Sequence, residues 1–250
     1  MILRSKIENE NSMDHDPVPD TLNDIRRELR CSADATFQAF HARLVPTVPR
    51  ETILGVRTPI LREIAKQLVR NSTWQEFLET TPQSYEERML QAVLLGCAPL
   101  TWSERLEQLG RQITTLDNWA ICDTLAAGLK ATRSHLPEMW LYLTPFLTDK
   151  PVYHRRFAIV MLLDYYVTPT YVDLVLERLA AVPTRSDYYV QMAIAWAVSI
   201  CFIHFPQKTT LWLKQDHLDT FTYRQSLQKI LDSYRVDAAT KTQIRAMKRV

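Results

Sequence analysis

Glycine is nearly missing from this chain. Only four occur in 250 residues (Gly55, Gly96, Gly110 and Gly128), and they lie far apart. Doubly wound α/β folds spend glycines on their turns and phosphate loops, and neither GxGxxG nor GxxxxGK is present. Enzymes that cradle a nucleotide in such a loop are therefore excluded. Cys31, Cys97, Cys122 and Cys201 form no CxxC pair, and all but Cys31 sit in apolar sequence. They read as small core residues of a reducing compartment, so a cytoplasmic location is expected. The six histidines make no HExxH and no ligand-spaced partner for a cysteine. No metal site and no cofactor are expected. No segment alternates apolar and polar residues as a half-buried strand would, and no basic start leads into an apolar leader. Residues 188–205 carry no Asp, Glu, Lys or Arg over about the length of a membrane span. They include Gln191, Ser199 and His204 and stand alone in a chain otherwise patterned for water, so they read as a helix buried on nearly all sides. No membrane partner is expected.

What remains is helical. Hydrophobic residues make up 46% and charged residues 23%, enough to bury a sizeable core. Thirteen prolines, mostly between helical runs, do the breaking that glycine does elsewhere. Thr58-Pro59 opens a helix, with Thr58 as the expected N-cap and an apolar stripe through Ile60, Leu61, Ile64, Ala65 and Leu68. Further helices are expected at 22–29, 34–44, 74–78, 85–96, 102–113, 118–130, 135–147, 152–167, 171–181, 188–205, 208–214, 222–234 and 238–247. Residues 1–20 hold two basic and five acidic residues and end in Asp-Pro-Val-Pro-Asp. They read as a flexible tail, and residues 21–250 as a single domain.

Within this all-α chain, Asn118-Trp119-Ala120-Ile121-Cys122-Asp123 is the stretch with chemistry in it. On a helix Trp119 and Asp123 share a face one turn apart. An aromatic plate beside a carboxylate handles cations, since both the ring face and the anion attract positive charge. Arg156, at the start of an apolar helix, needs a carboxylate or a polyanion, because an unpaired buried guanidinium is costly. Trp119 to Arg156 is 37 residues and Arg156 to Trp196 is 40, near the lower edge of the roughly 40–47-residue period of stacked helix pairs. If the spacing reflects a repeat, the chain forms a right-handed curved solenoid of antiparallel helix pairs, and these side chains look into one concave groove. The net charge is only +2, so any nucleic-acid surface must come from local clusters. Arg62 and Lys66 recur with Arg70 on one face near Arg57. A solvated charge row and a phosphate-facing row explain that pattern equally well. Past residue 203, nine Lys or Arg stand against four aspartates, with Lys229, Arg235, Arg245 and Lys248 among the cations.

These stretches resemble the HEAT-like-repeat DNA alkylation repair family, the AlkD-type alkylpurine DNA glycosylases, over roughly residues 35–250. The matching elements are GVRTPILREIAKQL, SYEERMLQAVL, NWAICD, HRRFAIVMLLDYY and YYVQMAIAWAVSICFIHFP followed by FTYRQSLQKILDSYRV. The resemblance implies Trp119, Asp123, Arg156 and Trp196 as catalytic residues, with Arg155 as the second choice for the arginine and otherwise a DNA contact. It implies hydrolysis of the N-glycosidic bond of cationic N3- or N7-alkylated purines in double-stranded DNA, by a monomer. The two tryptophans and Asp123 would stabilise the oxocarbenium-like sugar, and Arg156 would hold a phosphate. One departure is Ser199, where active members carry a basic residue three positions after the second tryptophan. Two other readings accompany this one: a non-catalytic member that binds DNA by shape, and a helical-repeat scaffold for proteins.

Overall fold

The computed structural model describes residues 21–247. The tail expected at 1–20 and Lys248 lie outside them. Fourteen α-helices and three short 3-10 turns account for the regular structure, with no strand among the described residues. The helices are α1 (Leu22–Cys31), α2 (Ala35–Leu44), α3 (Thr58–Arg70), α4 (Trp74–Glu79), α5 (Tyr85–Cys97), α6 (Trp102–Ile113), α7 (Trp119–Gly128), α8 (Leu136–Leu143), α9 (Val152–Tyr165), α10 (Val172–Ala181), α11 (Tyr188–His204), α12 (Pro206–Leu213), α13 (Thr220–Asp232) and α14 (Ala238–Ala246).

From α3 onward the odd-numbered helices pack in succession, α3 on α5, α5 on α7, α7 on α9, α9 on α11 and α11 on α13. Their even-numbered neighbours α4, α6, α10 and α12 flank this row. Composition sorts the two kinds. Helices α9 and α11 are enclosed by neighbours, and residues from Phe157 to Leu162 and from Val190 to Val198 are almost all buried. Helix α6 instead shows a polar outer face and buries Leu109 and Ile113 on the other. A helix apolar all round belongs between others, and an amphipathic one at the surface.

Local chemistry sets the helix starts. Asn118 caps α7, its side chain accepting from the Ile121 N–H at 3.0 Å. Thr101 and Glu104 close a capping box on α6. One expected cap is corrected. Arg57 is the N-cap of α3, and Thr58 is already helical. Asp187 is the N-cap residue of α11, and its side chain accepts from Arg155 rather than from the helix backbone. The helix expected over 135–147 breaks after Leu143, where Pro145 forces a 3-10 turn. Glycine matters at two contacts. Gly55 has φ +91°, and a Cβ there would lie 2.4 Å from the Asp34 carbonyl. Gly96 of α5 meets the backbone of Gly128 of α7, and a Cβ on Gly96 would come within 2.7 Å of the Gly128 oxygen.

Of the cysteines, Cys122 and Cys201 are buried as expected, but Cys97 is exposed at the end of α5. Among the described residues, no helix is long and apolar enough to cross a membrane.

Candidate active site

Helix α7 is held at its start before any functional side chain is considered. Arg88 of α5 grips the Asp117 carboxylate with both Nη atoms, at 2.7 and 2.9 Å, and donates to the Thr115 carbonyl at 2.6 Å. Thr47 donates to the Asp117 carbonyl at 2.8 Å. Trp119 then donates its indole N–H to the Leu44 carbonyl at 2.7 Å, which pins the half-buried ring against the end of α2. One turn on, Asp123 points across to α9.

Arg156 meets it there. Its Nε donates to Asp123 Oδ1 at 2.8 Å and its Nη2 to Oδ2 at 2.7 Å, a parallel fork. Nη1 donates to the Tyr189 carbonyl of α11 at 2.9 Å. Three consecutive odd helices are thus tied at one point. The Asp123 side chain keeps 18% of its exposure and that of Arg156 keeps 8%. Burial pushes the Asp123 carboxyl up, and the guanidinium pulls against it. Burial acts on Arg156 too, but Asp123 outweighs it and holds the guanidinium above its ordinary value. Asp123 is therefore an anion already neutralised in part by a partner. Arg156, expected to hold a phosphate, commits three of its five N–H groups inside the protein.

Two more charged groups belong to this locus. Lys229 of α13 is half-buried and feels the fields of both Arg156 and Asp123. Asp164 lies near the end of α9, with its Oδ2 buried and given no hydrogen bond. Burial, then repulsion from Asp123, raises its carboxyl to about 6, against an opposing pull from Arg133. Sequence reasoning had placed Lys229 only in a diffuse basic cluster and missed Asp164. The signal for Asp164 was an acidic residue ending an otherwise apolar helix.

Trp196 is half-buried on α11, two turns beyond Tyr188, and the described ring contacts do not join it to Trp119. Ser199 is buried and donates to the Trp196 carbonyl at 2.7 Å, so it presents nothing to a ligand.

Arg155 is corrected outright as a DNA contact. Its side chain is 0% exposed. The guanidinium is committed to the Pro183 and Lys150 carbonyls and to Asp187, which fastens α9 to the loop before α11. The exposed cations divide. Arg57 pairs with Asp34 at 3.0 Å and lies over the Phe37 ring. Lys66 and Arg70 share Glu63 at 3.1 and 3.0 Å, so part of that row is internally balanced. Arg62, Arg235 and Arg245 are exposed. Among the described residues, no three His, Cys, Asp or Glu side chains gather as metal ligands.

The fold is a row of packed helices in which α7 carries an aromatic residue and a carboxylate and α9 the arginine that clamps it, an all-helical class rather than a nucleotide-binding α/β one. The chain belongs to the DNA alkylation repair enzyme family, whose model it matches over residues 25–230. No curated protein matches it.

Proposed function

We propose that the protein is an alkylpurine DNA glycosylase that hydrolyses the N-glycosidic bond of cationic N3- or N7-alkylated purines in double-stranded DNA. The observation that carries this reading is the fixed Asp123 carboxylate, presented on the same helix face as Trp119 and oriented by Arg156. An alkylated purine leaves as a neutral base, and positive charge then resides on the deoxyribose. A carboxylate that cannot rotate away costs no reorganisation when that charge develops. Trp119 and Trp196 add ring faces that attract a cationic sugar. The paired arginine serves as a positioning group for Asp123. On this reading the odd-numbered row lines the concave side of a right-handed superhelix. Arg62, Lys66, Arg57, Lys229, Arg235, Arg245 and Lys248 follow the DNA backbone. The monomeric state and the cytoplasmic location belong to the same proposal.

The test is release of free 7-methylguanine and 3-methyladenine from methylated duplex DNA. Release well above the protein-free rate supports the reading, and release at that rate overturns it. A second reading is favoured by two observations, the ion-paired state of Asp123 and the inward-turned Ser199. It is a family member that binds DNA structure without cleaving it, and it predicts duplex binding with no base release.

A further inference from the structure

The odd-numbered helices share an aromatic start. Tyr85, Trp119, Tyr153, Tyr189 and Phe221 are each the first or second residue of α5, α7, α9, α11 and α13, spaced 34, 34, 36 and 32 residues apart. Tyr85 and Tyr153 are buried, so the repeated ring serves there as a spacer between helix starts. The last two helices depart from that role. Helix α11 adds Tyr188 just before Tyr189, and Tyr188 is 56% exposed, while Phe221 of α13 is 39% exposed. The rings run in a line across three helices. Tyr153 lies 5.5 Å from Tyr189, Tyr189 5.3 Å from Tyr188, and Tyr188 6.2 Å from Phe221, centroid to centroid. The planes of the exposed pair are inclined by 54°, so neither ring covers the face of the other. Gln191 of α11 donates to Asp219, the cap of α13, at 3.1 Å and fixes the two starts side by side. The line sits next to the clamp, since the Tyr189 carbonyl accepts from Arg156.

Two cations flank the exposed pair. Arg185 precedes Tyr188 by three residues, and Arg224 follows Phe221 by three, one turn on along the same face. Both are exposed, and neither takes part in an ion pair among the described residues. Arg185 and Ser186 hold left-handed backbone, φ +51° and +61°, which is costly for residues other than glycine. Arg155 keeps the turn by gripping both its sides, at the Pro183 carbonyl and the Asp187 carboxylate. The nearby carboxylates are spent, Asp187 on Arg155 and Asp219 on Gln191 and Thr222. Open ring faces set between unpaired arginines suit an unpaired nucleic-acid strand, because every base offers a face to stack on and the backbone is anionic. A continuous duplex keeps its base faces inside, and an apolar protein partner has no need of the arginines.

We propose that Tyr188 and Phe221 form a stacking platform for unpaired DNA bases, with Arg185 and Arg224 holding the phosphates beside them. The protein then engages a duplex bearing a single-stranded segment more tightly than a continuous duplex. This rests on the reading above only in that the partner is DNA; it requires no base release.

The experiment measures binding of the full chain to three undamaged probes: a blunt duplex, the same duplex with a short thymidine overhang, and one whose overhang keeps its phosphates but carries abasic units. The thymidine overhang should tighten binding by about tenfold, and the abasic overhang should stay within about threefold of the blunt duplex. Tyr188→Ala and Phe221→Ala should each weaken binding of the thymidine probe by about fivefold or more and leave the blunt duplex within about twofold. Tyr188→Phe and Phe221→Tyr keep the rings and should bind as the wild type does. Arg185→Gln and Arg224→Gln should each reduce the salt slope for the thymidine probe by about 0.7. Equal affinity for the thymidine and abasic overhangs, a thymidine preference that survives both alanine variants, or an equal loss on the blunt duplex would overturn the proposal. Because no probe is methylated, failure to release alkylated bases leaves this test unaffected, and a glycosylase without the overhang preference sinks the platform alone.

Discussion

Asp123 and Arg156 are bound to each other more completely than either is to anything else. Removing one partner leaves the other charge half-stripped of water, which costs about 3 kcal/mol. Arg156→Ala should then lower the melting temperature by about 6–12 °C for a domain of this size. The double variant Asp123→Ala, Arg156→Ala should lose less than the sum of the two single changes, and thermal unfolding of all three closes the cycle. Asp164 behaves in the opposite sense. Its carboxyl titrates near 3.8 in an unfolded chain and is raised to about 6 in the folded one. Between those values the folded state binds the extra proton, so this group's contribution to stability falls as pH rises through that window and stays lost above it. Asp164→Asn should raise the melting temperature at pH 7.5 by about 2–4 °C, an effect near 1 kcal/mol, and change nothing at pH 3.5. A variant equally stabilised at both pH values would show that ionisation is not the cause. At this scale the sequence was half legible. That Trp119 and Asp123 share a helix face follows from spacing, and that Arg156 needs a partner follows from the cost of burying it; their joint role is what the family resemblance implies. That Arg156 clamps Asp123, and that its neighbour Arg155 turns inward to Asp187, depends on how helices separated by some thirty residues pack. No local pattern distinguishes two adjacent arginines on a helix enclosed on most sides.

Between helices, α5 approaches α7 closely at Gly96 and Gly128. A methyl group on Gly96 would meet backbone, which cannot swing away, so Gly96→Ala should destabilise by about 1–3 kcal/mol through overpacking. Gly110→Ala is the control. Its Cβ would lie 3.4 Å from the Tyr142 hydroxyl, and the gain in helix propensity, up to about 1 kcal/mol, should leave stability unchanged or improved. Chemical denaturation of both variants separates the two cases. Helix order was readable throughout, because prolines and capping residues punctuate a strong apolar period. The ends were read less well. Lys130–Ser134 forms a 3-10 turn rather than prolonging α7, and residues 135–147 divide at Pro145. Sequence period cannot tell an α-turn from a 3-10 turn, since both place apolar residues inward.

For the whole molecule, the row of odd-numbered helices brings Asp123, Arg156 and Lys229 from α7, α9 and α13 to one locus, while the basic C-terminal quarter adds exposed cations. The spacing of marked residues anticipated Arg156 beside the helix of Trp119 but not Lys229 with them, and charge clustering anticipated the exposed cations. It did not anticipate how many cations are spent internally on Asp34, Glu63 and Asp187. Duplex affinity should therefore fall with salt, and Arg235→Gln and Arg245→Gln should each reduce the log–log slope by about 0.9. Arg155→Met should leave that slope alone while lowering stability. The most direct measurement combines single-turnover release of 7-methylguanine with binding of the same methylated duplex, for the wild type and Asp123→Asn. The account predicts a release rate lower by about 100-fold or more in the variant, with affinity within about threefold. Equal release rates for the two proteins at equal affinity would contradict it.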